Sequence, residues 1–170
     1  MAKASGKKRV SALQQAEGYL ELELPHHALE VLESAEDFGS YRFEANCLRG
    51  EALRMMERHV EALVPLEQAA EDRPEDAKVN LALGWCYKRT GQLGRAIEAL
   101  ERAARANPND EILPYNLACY WSLAGDKEKS LGWLKKALEM APELRRLIPD
   151  ESDFDFLRGD PAYEQLVDGK

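Results

Sequence analysis

Residues 77–110 read AKVNLALGWCYKRTGQLGRAIEALERAARANPND, and this stretch decides the fold. Leu81 and Gly84 lie three residues apart within a run of apolar and small side chains that has the spacing of one helical face. Thr90 and Gly91 end that run, because glycine adopts the left-handed conformation that closes a helix. A second apolar stripe follows the turn. The stretch therefore predicts two amphipathic helices joined by a tight turn.

The same pattern recurs every 34 residues along most of the chain. Gly50 matches Gly84 near the start of the unit, and Pro74 matches Pro108 near its end. A regular period of this length predicts a repeat architecture before any other fold. The four units are placed at residues 9–42, 43–76, 77–110 and 111–144.

The unit resembles the tetratricopeptide repeat, a helix-turn-helix of 34 residues. That repeat has a small residue at place 8, an aromatic at place 11, alanine at places 20 and 27 and proline at place 32. The resemblance implies an all-α fold, a right-handed superhelical solenoid of helix pairs. In the third unit these places hold Gly84, Tyr87, Ala96, Ala103 and Pro108. The other units depart from the pattern at Ser40, Leu53 and Ser130.

The composition excludes several classes of protein. Only 10 of the 170 residues are Val, Ile or Thr, which argues against a sheet-rich fold. A net charge of −8 and a pI near 5.0 argue against binding to nucleic acid or to an anionic membrane. No window approaches the ~20 apolar residues of a spanning helix, and three widely spaced cysteines favour a reducing compartment. We therefore expect a soluble, cytoplasmic protein with no nucleic-acid or membrane partner.

The two ends of the chain lie outside the repeats. Residues 1–8 are small and basic, and we expect a flexible tail there. Residues 145–170 resemble a segment that often closes bacterial arrays of these repeats, where the last unit needs its apolar face covered. The alternative for this segment is an arm that docks on another protein. The side chains expected to cover the last unit are Leu144, Leu147, Ile148, Phe154, Phe156, Leu157, Tyr163 and Leu166.

The sequence offers little catalytic chemistry. It contains no phosphate-binding glycine loop and no zinc-protease or serine-hydrolase motif. His26 and His27 are interpreted as solvated turn residues and not as half of a metal site, because neighbouring residues of a helix diverge by about 100°. Cys86 falls on the packing side of its helix and is expected to be buried. We expect no enzymatic activity, no metal and no cofactor.

The resemblance also implies where a partner binds. In tetratricopeptide repeats the first helices of successive units line a concave groove. Trp85 is interpreted as an anchor for a partner peptide, with the filling of a gap between first helices as the alternative. Lys88 and Arg89 are interpreted either as holding a ligand carboxylate or as a solvated face. The groove is expected to be acidic at its N-terminal end, basic in the middle and apolar at the far end. The partner-binding residues implied are Leu13, Glu17, Cys47, Glu51, Arg54, Lys78, Leu81, Trp85, Lys88, Arg89, Ile112, Tyr115, Asn116, Cys119 and Leu123.

One subclass of the family can be tested directly. Its members hold the C-terminal carboxylate of heat-shock chaperones with a Lys at place 5 and an Asn at place 9 of one unit. This chain has Leu13 and Glu17 there in the first unit, and Cys47 and Glu51 in the second, so a chaperone tail is disfavoured. We predict a protein-protein interaction module, or adaptor, that holds a peptide or helical segment of an unidentified partner. The alternative is a scaffold that self-assembles through the solenoid ends or the C-terminal segment.

Overall fold

The structure is a computed structural model that describes residues 2–35 and 37–169, with side chains from residue 6 onward. The described residues contain no β-strand, so the prediction of an all-α fold is confirmed. Three 3₁₀ helices span Gly39–Tyr41, Pro142–Asp150 and Ser152–Leu157. The α-helices are α1 (Ala2–Glu21), α2 (Pro25–Glu33), α3 (Arg42–Met55), α4 (His59–Asp72), α5 (Ala77–Arg89), α6 (Leu93–Ala106), α7 (Ile112–Leu123), α8 (Lys127–Met140) and α9 (Pro161–Asp168).

The first eight helices stack as pairs. Each odd-numbered helix packs most extensively on the even-numbered helix that follows it, and the second helix of each pair packs on the first helix of the next. This arrangement buries one continuous apolar core that runs through all four pairs. No helix in the described part of the chain is both long and apolar enough to cross a membrane.

Small residues allow the two helices of a pair to approach closely. A Cβ atom built on Gly50 would lie 2.5 Å from the Leu66 side chain, and one on Gly84 would lie 3.0 Å from the Leu100 side chain. The two contacts join equivalent places of consecutive units. Each leucine is buried directly over its glycine, so the interhelical distance is set by the absence of a side chain at this place.

A left-handed residue ends the first helix of every pair at place 15 of the unit. Glycine was predicted to do this, and it does so in the third and fourth units, whereas glutamate takes the same conformation in the first two. In the third unit, the N–H of Gln92 then donates to the carbonyl of Tyr87 at 2.8 Å, which closes the helix end. The four residues and their φ angles are Glu23 (57°), Glu57 (57°), Gly91 (76°) and Gly125 (75°).

The N-terminal segment differs from the sequence-based expectation. We expected a flexible tail over residues 1–8, but the structure continues α1 back to Ala2. The segment is rich in Ala and Lys and has no proline, so nothing in its covalent structure stops the helix at residue 9. Met1 lies outside the described residues.

The C-terminal segment packs on the last helix pair. Phe154 and Leu157 are fully buried, because residues three apart lie on the same face of a 3₁₀ helix. Phe156 lies on another face and is 61% exposed, so the expectation that it covers the fourth unit is wrong. Leu147, at 41%, is likewise exposed.

Helix α9 closes the chain and is anchored at its start. The Asp160 carboxylate accepts hydrogen bonds from the N–H groups of Ala162 at 2.9 Å and Tyr163 at 3.4 Å, with Pro161 in the first turn. Lys127 on α8 pairs with the same carboxylate at 2.7 Å. These bonds hold the pKa of Asp160 below its ordinary value, with the Lys127 contact as the largest cause.

We predict that Gly50→Ala destabilises the protein by about 1–3 kcal/mol, because the added methyl overlaps Leu66. Gly132→Ala is the control. It lies within α8 with nothing within 4 Å of its added Cβ, so the better helix former is expected to stabilise by about 0.5–1 kcal/mol. Urea unfolding of both variants measures the difference, and equal midpoints would contradict the proposed close contact.

A second prediction uses two phenylalanines of one segment. Phe154→Ala should destabilise by about 3–5 kcal/mol, since it empties a fully buried site. Phe156→Ala should change the free energy of unfolding by less than about 0.5 kcal/mol, because this ring is exposed. Thermal and urea unfolding test the pair, and similar effects of both substitutions would mean that the segment packs differently.

Candidate functional site

The first helices of successive pairs are neighbours along one side of the solenoid. Helix α1 contacts α3, and α3 contacts α5. A cavity of about 490 Å³ opens between these three helices. We call it the open half of the inner surface. Its lining residues are Leu13, Glu17, Phe43, Glu44, Cys47, Leu48, Glu51, Leu66, Asp76, Lys78, Val79 and Ala82.

Five of the fifteen sequence-predicted partner-binding residues meet in the open half. They come from three different units, so residues that are distant in sequence but equivalent in the 34-residue repeat lie close together in the structure. The five are Leu13, Glu17, Cys47, Glu51 and Lys78. Phe43, at the first place of the second unit, also lines the cavity and was not among the predicted residues.

The walls of the open half are apolar and unreactive. Leu13, Phe43 and Leu48 are half-buried and pack against the core while still lining the cavity. Burial, with a smaller contribution from the nearby carboxylates of Asp76 and Glu44, raises the pKa of the Cys47 thiol to about 11. This thiol therefore stays protonated at neutral pH and serves as an apolar contact surface, not as a nucleophile.

Ion pairs reduce the charge that the open half can offer to a partner. Glu51 is held by two hydrogen bonds from Arg54, at 2.8 and 2.6 Å. Glu44 is paired with Arg73 at 2.9 Å, and that guanidinium lies 3.7 Å from the centre of the Phe43 ring. The acidic end and basic middle expected from the sequence are therefore partly neutralised within the chain.

The other half of the inner surface is covered by the chain itself. Tyr115 and Cys119 on α7 were predicted to line the groove, yet they are only 5% and 3% exposed. The 3₁₀ helix Ser152–Leu157 packs across α7. The ring of Phe154 meets the Tyr115 ring edge to face, with centroids 5.7 Å apart. We call this region the covered half.

An ion pair fastens the covering segment to α5. Lys88, expected to hold a ligand carboxylate or to face solvent, donates to the carboxylate of Asp153. Both side chains are more than three-quarters buried, at 24% and 11% exposure. The Lys88 ammonium also lies 5.2 Å from the centre of the Tyr120 ring. The cation is therefore occupied by a residue 65 positions further along the chain.

The covered half gathers three groups of metal-ligating type. One ligand atom each of Cys119, Glu151 and Asp153 lies within 4.8 Å of the others, the single such group of three or more in the described part of the chain. Burial raises the pKa of Cys119, and the two carboxylates raise it further. Lys88 already neutralises Asp153, so the geometry describes a buried ion pair beside a protonated thiol. The sequence did not predict this site, because Glu151 and Asp153 lie outside the repeats.

The remaining predicted residues lie outside the open half and differ in their exposure. Trp85 is 44% exposed, and the Arg89 guanidinium lies 6.0 Å from the centre of its ring. Ile112 and Leu123 are exposed at the two ends of α7. Leu81 is half-buried and packs against the core. Asn116 is also half-buried.

Comparisons with known proteins agree with this architecture. A family model for the tetratricopeptide repeat matches residues 53–117. The phagocyte signaling-impaired protein of Drosophila pseudoobscura pseudoobscura is 34% identical over 77 residues, which are 45% of this chain and 8% of that protein. The chain therefore spans less than a tenth of this relative's length.

Solved structures match over a larger part of the chain. MamA from Desulfovibrio magneticus RS-1, from residue 41 to its end, gives a TM-score of 0.73 at 21% identity, covering 79% of this chain and 76% of that solved chain. YrrB, described as a TPR protein with an unusual peptide-binding site, gives a TM-score of 0.72 at 22% identity, covering 79% and 70%. At these identities the likeness shows the fold alone.

Proposed function

Because this chain is a tetratricopeptide-repeat protein, we propose that it is an interaction module that holds a segment of a partner protein in the open half of its inner surface. The observation that carries the proposal is the cavity of about 490 Å³ between α1, α3 and α5. Leu13, Phe43 and Leu48 line it and remain partly exposed. YrrB, which shares the fold, is a TPR protein with a peptide-binding site, and this supports the proposal.

The lining of the open half indicates the chemistry of the partner segment. Leu13, Phe43 and Leu48 favour an apolar side chain that enters the cavity. Glu17 and Lys78 are exposed at the same site, and no ion pair joins either to another described residue. They can therefore pair with charges of both signs on a segment that lies across the helices, which favours one orientation of the segment.

The cavity can be filled without changing its charge. Ala82→Trp places a large ring in the open half, and we expect it to reduce capture of a partner from native-host lysate at least tenfold. Ala106→Trp is the control, because Ala106 is exposed at the end of α6. Circular dichroism must show the parent's helix content for both variants. Equal capture by the two variants would contradict binding in the open half.

Trp85 allows a separate test of the anchor hypothesis. Trp85→Ala should weaken binding of the captured partner by about 2 kcal/mol, as large aromatic anchors do at interfaces. The same substitution should leave the unfolding midpoint nearly unchanged, because almost half of this side chain faces solvent. A large loss of stability with unchanged affinity would instead support the alternative, in which Trp85 fills a gap between first helices.

Self-assembly as a scaffold remains the alternative prediction. Light scattering of the purified protein at two concentrations distinguishes it from a monomeric adaptor, since assembly gives a mass well above 19.2 kDa that grows with concentration. A cytoplasmic location is also part of the proposal. The three thiols of Cys47, Cys86 and Cys119 are unpaired in the structure, which fits a reducing compartment.

A further inference from the structure

We propose that residues 151–157 are a displaceable occupant of the covered half, and that this half recognises a partner segment in which a carboxylate directly precedes a buried aromatic ring. The proposal extends the inner surface beyond the open half to which the proposed function is assigned. Its tests leave every residue of the open half unchanged, so either proposal can fail while the other stands.

The covering segment has the contacts of a bound peptide. Its carboxylate, Asp153, pairs with Lys88 on α5, and its aromatic ring, Phe154, packs against Tyr115 on α7. Both partners lie at places that line the groove in this family of repeats. A charged group on one helix and an aromatic group on the next together recognise two adjacent side chains of the segment. This pairing defines the chemistry that the site accepts.

The interface under the segment contains carboxylates. Glu151 and Asp153 lie beside the thiol of Cys119, whereas the buried polar side chains of the second and third helix pairs are the uncharged amides of Asn46 and Asn80. The hydroxyl group of Tyr115 is buried without a hydrogen-bond partner in the structure, although the residue is only 5% exposed. A buried hydroxyl without a partner is unfavourable. A partner segment that offers an acceptor to Tyr115 would make one hydrogen bond that the chain's own residues do not make.

Several features of the segment favour its local separation from α7. It is a single 3₁₀ helix, whose hydrogen bonds have poorer geometry than those of an α-helix. One of its two phenylalanines, Phe156, is 61% exposed. Gly159 follows the segment with a φ of +81°, a backbone conformation that other residues rarely adopt. A short element held by only three largely buried side chains, Asp153, Phe154 and Leu157, opens at lower free energy than the core of a domain.

The covalent tether determines how strongly the segment competes with a partner. A tethered ligand acts at an effective concentration in the millimolar range, so a free peptide at micromolar concentration displaces it poorly. The covered half is therefore expected to bind a free peptide weakly in the parent chain and tightly once the segment is released. The segment in this way regulates access to the site.

The release variant is the full chain with Asp153→Lys, which puts a second cation next to Lys88. The probe is a fluorescein-labelled peptide of residues 149–159, and binding is measured by fluorescence anisotropy. The matched control chain carries Asp155→Lys, the same charge change at a residue that is exposed and pairs with Arg158. The Asp153→Lys chain should bind the peptide at least about tenfold more tightly than the parent and the control chain. A peptide that itself carries Asp153→Lys should not bind.

Thiol labelling of the parent protein tests whether the segment separates from α7, and it needs no variant. Cys119 lies under the segment, whereas Cys86 on α5 is fully buried and reports opening of the core. If the segment separates locally, a thiol reagent should modify Cys119 at least about tenfold faster than Cys86, as followed by mass spectrometry. Equal rates for the two thiols would show that the segment leaves only on global unfolding, and would overturn the proposal.

In the peptide-binding experiment, equal affinities of the parent, Asp153→Lys and Asp155→Lys chains for the labelled peptide would overturn the proposal as well.

Discussion

The close approach of the two helices within the central pairs is the constraint on which the rest of the structure depends. Leu66 packs directly over Gly50, and Leu100 directly over Gly84, one period later. Because these two pairs are held closely together, they stack on each other and on the outer pairs, and the first helices fall side by side. The inner surface is a consequence of this packing, since a larger side chain at the glycine would separate the helices and change the spacing of every later pair.

The inner surface is divided into two chemically different parts. The open half has apolar walls from α1, α3 and α5, and its charged groups are partly neutralised by local pairs such as Glu51 with Arg54. The covered half holds its cation, Lys88, against Asp153 of the chain's own C-terminal segment. A surface that looks continuous in the repeat pattern therefore offers a partner one accessible cavity and one region that is already filled.

Several features of the site follow from local sequence, and others do not. The places of Leu13, Cys47 and Lys78 on one side of the solenoid were predictable, because a regular period transfers the same orientation from one unit to the next. The burial of Tyr115 and Cys119 was not predictable in the same way. Residues 151–157 lie outside the repeat, and no periodicity relates them to the helix on which they pack.

The sequence by itself determined the helix pairs, their turns and their all-α packing, because small residues, apolar stripes and helix-ending residues act over a few positions and recur every 34. Only the tertiary structure decided which groove residues remain accessible. The Lys88–Asp153 pair joins residues 65 positions apart. It depends on where a non-repeating segment folds back, and burial of Phe154 selects that location because the apolar surface of α7 would otherwise face water.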